Sequence, residues 1–294
     1  KILEAARWAP SAENQQAWRF LAVSAEKKKR HLVEAVKRQD TRLSSTLHDV
    51  NKPKLTPSFT FSVKNYDGSD AKYKDLLLSE VHSEDVKCAE TCSLFIICTH
   101  KDSRFGKMFG PSDMGAAVTN MAVLARDLGY ETRIIRNFNH NHVRASFQVP
   151  DSKIIDLLLA IGKTWEGEED PLIEHINLED FACQDDWGTP FTASTLDEGA
   201  IPEYDVEAVD AILDRRSIRE YDESKSATSE EIEELLKAGL SHPLTVDAPY
   251  IKLVAISDTQ KLKMIADTAR IIIKQSHVQQ VPLIIAAAFD CSNN

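Results

Sequence analysis

The chain has 294 residues, which at roughly 150 residues per domain corresponds to about two domains or one large one. Hydrophobic residues make up 43% of the chain and charged residues 28%, so a disordered, collagenous or fibrous protein is excluded. The formal net charge of −11 argues against nucleic-acid binding and against attraction to anionic membranes. With only 10 glycines, a protein built on several glycine-rich phosphate loops is also disfavoured.

Neither a membrane span nor a secretion signal is predicted. No apolar run approaches the ~18 residues that a span requires, and the N-terminal residues lack the apolar region and cleavage site of a signal peptide. Five cysteines without a Cys-x-x-Cys pair predict reduced thiols, with a metal site as the alternative. We therefore expect a cytoplasmic protein. His140 and His142 favour a polar loop, because no third ligand lies near them, and no metal site is predicted.

Short apolar runs in chain order predict five strands, and the segments between them predict helices. The strands are expected at Phe20–Val23, Leu94–Thr99, Ile155–Ile161, Leu253–Ile256 and Leu283–Phe289. Interspersed helices and strands indicate an α+β or α/β architecture.

Two helices carry clear local signals. Apolar residues at helical spacing predict one helix over Asp113–Leu128. Thr228 and Glu231 have the spacing of a capping box, which predicts a second helix that buries the side chains of Ile232, Leu235 and Leu236.

The chain also contains a weak internal repeat. At an offset of 233 residues, Arg19–Ser24 aligns with Lys252–Ser257, and at an offset of 189 residues Leu94–Ile97 aligns with Leu283–Ala286. An acidic, turn-rich stretch separates the two copies. The sequence therefore predicts repeat one over residues 1–180, a linker or wrapping arm over 181–206, and a partial repeat two over 207–294.

The first candidate site segment runs from Pro10 to Gln16, between a short helix and a strand. The hydroxyl of Ser11 and the side-chain amides of Asn14 and Gln16 suit an uncharged heteroaromatic ring that alternates carbonyl and N–H groups. The alternative is a polar turn in which the serine and the asparagine bond the local backbone.

The second candidate segment contains Arg215, Arg216, Ser217 and Arg219. Three arginines and a serine within five residues offer forked donors that suit a phosphate. The alternative is a solvated basic patch on an acidic protein.

Taken together, the two segments resemble the FMN-dependent nitroreductase family: R-R-S-x-R before a helix, and P-S-x-x-N-x-Q-x-W-x-F after one. The helix that starts at Asp113 is similar to that family's long core helix, with the pattern D-x-G-x-A-x-x-N followed by A-x-x-L-G. The resemblance covers nearly all of residues 1–180 and part of 207–294.

The resemblance implies an α+β fold with a mixed sheet flanked by helices, in two tandem copies of which the second is incomplete. FMN would lie between two copies, so that the chain forms an internal pseudo-dimer. By position, the phosphate would be held by Arg215, Arg216, Ser217 and Arg219, and the flavin would be contacted by Pro10, Ser11, Asn14 and Gln16. No catalytic side chain is implied, because the cofactor carries the chemistry.

The implied activity is an oxidoreductase that uses NAD(P)H to reduce a nitroaromatic, quinone or similar small acceptor. In the second repeat, Leu244, Asp247 and Pro249 replace the three polar residues of the first segment, so one working site is expected. Because repeat two stops just past a strand, the chain is expected to be a fragment of a longer protein. The alternative function is an FMN-sequestering protein without turnover, with the stretch from residue 38 to 87 as a gate or a seal.

Overall fold

The computed structural model describes residues 1–38, 83–163, 182–186, 189–191, 207–222, 227–240, 251–273 and 276–289. These residues form two compact units. The first comprises the described residues from 1 to 163 and from 207 to 215, and the second those from 182 to 191 and from 216 to 289. In the described part of the chain, no helix is both long and apolar enough to cross a membrane.

The first unit is a four-stranded sheet with helices on both faces. Its helices are α1 (Ile2–Arg7), α2 (Glu26–Arg38), α3 (83–91), α4 (Arg104–Asp127), α5 (His140–Phe147) and α6 (Ala208–Asp214). Its strands are β1 (Trp18–Val23), β2 (Leu94–Lys101), β3 (Glu131–Ile135) and β4 (Lys153–Gly162). The strand order is β1-β2-β4-β3, and every pairing is antiparallel.

Strand β2 explains why the sheet is covered on both sides. Successive side chains of a strand point to opposite faces, and six consecutive residues of β2 are buried. Phe95 and Ile97 belong to a core with side chains of α2, α3 and α5, whereas Ile96 and Cys98 belong to a core with side chains of α1 and α4. The predicted α+β fold, a sheet flanked by helices, is therefore confirmed.

Helix α4 is longer than the sequence pattern predicts. It starts at Arg104, nine residues before the predicted start at Asp113, and Pro111 lies inside it. Ser103 caps this end, because its side chain accepts a hydrogen bond from the Gly106 amide at 3.0 Å. The predicted start was wrong because Gly106, Gly110 and Pro111 disfavour a helix locally and conceal its periodicity.

The second unit has a three-stranded sheet in the order β5-β6-β7. Its strands are β5 (Ala182–Gln184), β6 (Ile251–Ile256) and β7 (Ile284–Phe289), and its helices are α7 (Ser229–Leu240) and α8 (Thr259–Ile273). Strand β5 pairs parallel with β6, and β6 pairs antiparallel with β7. Strand β5 comes from the stretch that the sequence marks as a linker or wrapping arm, and the predicted division into repeats stays a prediction.

The predicted capping box at the start of α7 is confirmed. The Thr228 amide donates to Glu231 Oε2 at 2.8 Å, and the Glu231 amide donates to Thr228 Oγ1 at 3.2 Å. The predicted burial of Leu235 was wrong: its side chain is 52% exposed. Ile232 and Leu236, one turn apart, form the buried stripe, and Leu235 lies beside it.

Candidate functional site

The first candidate segment forms a tight loop between α1 and β1. A single turn of 3-10 helix occupies Ala12–Asn14. Ser11 closes the loop, because its Oγ accepts a hydrogen bond from the Gln16 amide at 3.1 Å, and its carbonyl oxygen accepts one from the Asn14 amide at 2.9 Å. Pro10 lies exposed at the start of this loop. We call residues Ser11–Gln16 the cofactor loop, after the role that the sequence resemblance implies for them.

Three residues of the cofactor loop have the left-handed backbone conformation. The φ angles are 50° at Glu13, 53° at Asn14 and 46° at Gln16. Only five non-glycine residues of the described chain have positive φ, so three of them lie in this one loop. Such a conformation costs of order 1–3 kcal/mol per residue and persists only where neighbouring structure holds it.

Asp113 of helix α4 anchors the cofactor loop through hydrogen bonds. The Ala12 amide donates to both carboxylate oxygens of Asp113, at 3.1 and 3.3 Å. Partial burial raises the pKa of Asp113, and the Ala12 amide and the charge of His100 partly offset that rise. A second residue of the same helix, Asn120, donates from Nδ2 to the Ala5 carbonyl of α1 at 3.2 Å. The D-x-G-x-A-x-x-N pattern therefore fastens both α1 and the loop to α4.

The loop presents its two amide side chains to solvent as a pair. Gln16 Nε2 donates to Asn14 Oδ1 at 2.9 Å. This bond leaves Asn14 Nδ2 as a donor and Gln16 Oε1 as an acceptor with no partner among the described residues. Adjacent donor and acceptor groups match a ring edge that alternates carbonyl and N–H groups.

The arginine-rich segment is exposed and has no regular structure over residues 215–222. Arg215 belongs to the first unit, and its Nη2 donates to the Trp8 carbonyl at 3.3 Å, two residues before Pro10. The structure therefore brings Arg215 close to the start of the cofactor loop. Arg216, Ser217 and Arg219 belong to the second unit, where Arg219 Nη1 donates to the Ser217 carbonyl at 3.1 Å. The substituted counterparts in repeat two lie outside the described residues.

A buried histidine next to the loop anchor was not predicted. The His100 side chain is 3% exposed, and its Nδ1 lies 2.8 Å from each carboxylate oxygen of Asp156. The two residues are 56 positions apart, so no local pattern could have paired them. Burial raises the pKa of Asp156, and the hydrogen bond from His100 partly offsets that rise.

The other histidine pair lies at the start of helix α5 instead of in the predicted loop. His140 stacks on Phe138 with a centroid separation of 4.1 Å, and its Nδ1 lies 3.1 Å from the Phe138 carbonyl. The Asn139 side chain caps the helix by accepting from the His142 amide at 2.8 Å. Within the described ranges, no group of three or more side chains is arranged to hold a metal ion.

Comparisons with known proteins bear on the whole first unit. The nitroreductase family profile matches residues 1–163. Among solved structures, a nitroreductase family protein from Clostridium novyi NT is 18% identical, with 66% of this chain and 84% of that chain covered and a TM-score of 0.38. The FMN- and NADPH-dependent nitroreductase NfnB from Sphingopyxis sp. strain HMH is 17% identical, with coverages of 61% and 84% and a TM-score of 0.42.

Oxidised iodotyrosine deiodinase bound to FMN and 3-iodo-L-tyrosine is 15% identical, with coverages of 60% and 82% and a TM-score of 0.43. No curated protein sequence matches the chain. The family match spans more than half of the 294 residues. The chain therefore belongs to the nitroreductase family, a family of FMN-dependent oxidoreductases.

Proposed function

We propose that this chain binds FMN at the cofactor loop and uses NAD(P)H to reduce a nitroaromatic, quinone or similar small acceptor. The observation that carries the proposal is the loop itself: three left-handed residues held by Asp113, with a paired amide edge facing solvent. Backbone strain of this kind is retained where a ligand requires the geometry. Pro10, Ser11, Asn14 and Gln16 would contact the flavin.

The phosphate of FMN would be held by the arginine-rich segment. The guanidinium group of Arg215 donates to the Trp8 carbonyl, close to the start of the loop, and this supports placing the phosphate group of FMN next to the loop. Arg216, Ser217 and Arg219 would complete the phosphate site, with forked donors that match phosphate oxygens.

The strand registers support a tandem repeat of the fold. Adding 233 to Trp18 and Val23, the ends of β1, gives Ile251 and Ile256, the ends of β6. The strand pairing agrees with both repeat offsets. Phe20 opposes Cys98, and adding 233 to the first and 189 to the second gives Leu253 and Ala287, which also oppose each other.

We infer from these registers an internal pseudo-dimer with one working site. Repeat one supplies the intact cofactor loop, and the start of repeat two supplies the arginine-rich segment. In repeat two the counterparts of Ser11 and Asn14 are Leu244 and Asp247, which offer neither the hydroxyl nor the amide.

The residues of the chain bind and orient the reactants. The chemistry that FMN would supply when bound is the transfer of reducing equivalents from a nicotinamide to the acceptor. The amide pair of Asn14 and Gln16 fixes the orientation of the ring edge, and Asp113 fixes the backbone that carries that pair. The stretch from residue 38 to 87, the expected gate or seal, lies outside the described residues apart from its ends.

The test is FMN titration of the purified protein, followed by anaerobic addition of NADPH and then NADH. Retained flavin whose absorbance bleaches supports the reductase, and retained flavin that stays oxidised supports sequestration without turnover. Protein that folds but retains no flavin contradicts the proposal.

Two substitutions, each with a matched control, locate the site. We expect Gln16→Glu to weaken FMN binding by about 10-fold or more, because a charge replaces one member of the amide pair. The control is Gln15→Glu, the same change on the exposed neighbour. Arg219→Ala is expected to weaken binding similarly, with Arg30→Ala on the exposed face of α2 as its control. Equal effects of variant and control would place FMN elsewhere.

A further inference from the structure

A β-bulge in β4 places the Asp156 carboxylate next to His100. Along the pairing of β2 with β4, Cys98 opposes Leu157 and Thr99 opposes Ile155, so Asp156 has no partner in the ladder. A bulge of this kind re-aims a side chain. Here the Asp156 carboxylate lies 2.8 Å from Nδ1 of His100, which fixes a proton on that nitrogen.

The other nitrogen of the His100 ring faces helix α4. His100 Nε2 is buried and has no hydrogen-bond partner among the described residues. A methyl group added at Gly110 would lie 2.5 Å from His100 Cδ2 and 3.0 Å from Nε2, so the helix backbone approaches the ring closely. Asp113 is three residues farther along the same helix, and positions three apart lie on the same side of a helix. The His100 ring therefore lies between the Asp156 carboxylate of β4 and the part of α4 that carries Asp113.

These contacts connect the buried ring with the cofactor loop. Asp156 fixes the His100 ring, and the ring contacts α4 at Gly110. Asp113 lies about one turn farther along the same helix and accepts the hydrogen bonds of the Ala12 amide. The buried ring therefore fixes the part of the helix from which Asp113 holds the loop.

We propose that His100 is a positioning residue for the cofactor loop: held by Asp156, its ring packs against helix α4 at Gly110 and so places Asp113, which in turn holds the Ala12 amide. The proposal rests on the function proposed above only in naming the loop as the FMN site. The ionisable groups that face this arrangement are Asp156 from β4, Asp113 from α4 and His140, which acts on Asp156.

The pairing of β6 with β7 in the second unit offers a comparison with the pairing of β1 with β2. The offset of 189 that relates β2 to β7 converts His100 into Phe289, which opposes Ile251 as His100 opposes Trp18. A phenylalanine has no ring nitrogen that could bond a carboxylate. The histidine thus occurs in the half of the chain that has the intact cofactor loop.

The experiment measures the hydrogen-exchange protection factor of the Ala12 amide in FMN-free protein, together with FMN affinity. The variants are His100→Phe, which introduces the residue found at position 289 of β7, and Asp156→Asn, which keeps the size of the side chain and removes its charge. We expect each to lower the protection factor of Ala12 and the FMN affinity by about 10-fold at neutral pH.

The control is His31→Phe, the same change at a histidine of α2. A general loss of packing would also lower the protection factor of the Leu158 amide in the centre of the sheet. Loss of protection at Ala12 with Leu158 unchanged supports the proposal. Unchanged protection at Ala12, or an equal loss at both amides in both variants, overturns it. Failure of the wild type to bind FMN refutes the proposed function, and the Ala12 measurement still decides the role of His100.

Discussion

Two glycines of helix α4 offer a matched pair of substitutions. Gly110 and Gly115 lie five residues apart in the same helix, and an alanine at either position adds one methyl group. At Gly115 the added carbon would meet nothing within 4 Å among the described residues, whereas at Gly110 it would lie 2.5 Å from the His100 ring. We expect Gly115→Ala to stabilise the first unit and Gly110→Ala to destabilise it.

The magnitude follows from the contacts of His100. Replacing glycine by alanine inside a helix stabilises it by about 1 kcal/mol, and this gain is common to both variants. To make room at Gly110, the ring has to move away from Asp156, which costs about 1.5–3 kcal/mol for a hydrogen bond to a charged group. The difference in free energy of unfolding between the two variants is therefore about 1.5–3 kcal/mol, and the helix contribution cancels.

Urea unfolding of both variants, followed by circular dichroism at a helix wavelength, measures this difference. With a slope of about 1–3 kcal/mol per molar urea, the two unfolding midpoints should differ by roughly 1 M. Equal midpoints, or a higher midpoint for Gly110→Ala, would refute the packing of His100 against α4. The same data would then weaken the argument that His100 acts on Asp113.

Three further expectations concern charge, capping and thiol chemistry. Burial raises the pKa of Asp113 above its ordinary value, so the carboxylate takes up a proton and the loop loses its anchor as the pH falls through that raised pKa. FMN titrations should therefore show an affinity that declines in acid for the wild type. Asp113→Asn should show a lower affinity without that decline. Thr228→Ala should destabilise the second unit by about 1 kcal/mol in thermal unfolding, whereas Ser229→Ala, the next residue, should have little effect. Burial raises the pKa of the Cys98 thiol strongly and that of the half-buried Cys88 less. Alkylation of native protein, followed by mass spectrometry, should therefore modify Cys88 before Cys98, and the reverse order would contradict the buried position of β2.

The sequence predicted the strands that contain a continuous apolar run and missed those that do not. All five predicted strands are present, because each contains a run of at least four apolar residues. Strand β3 was missed: it is an edge strand with one fully buried residue, and it begins with three polar side chains. Strand β5 was missed because three residues in a turn-rich, acidic stretch give no periodicity.

The residues of the candidate site also include some that the sequence indicated and some that it did not. The polar residues of the cofactor loop are adjacent in sequence, so their pattern indicated a site before any fold was known. Asp113 was recognised as the first residue of a helix motif, but its hydrogen bond to Ala12 spans 101 positions and depends on how α4 packs. His100 and Asp156 carried no sequence signal, because a bulge in the sheet creates their contact.

The order of the strands has a consequence for synthesis on the ribosome. Strand β1 ends at Val23, and its partner β2 begins at Leu94, some seventy residues later. At about 5–20 residues per second, β1 waits roughly 4–14 s after its own synthesis before the pairing strand is made. During that interval the apolar side chains of Phe20 and Val23 have no sheet to join. The nascent chain is therefore most exposed to aggregation or chaperone binding before β2 emerges, and mutations that make β1 more apolar should lower the yield of folded protein without altering the folded state.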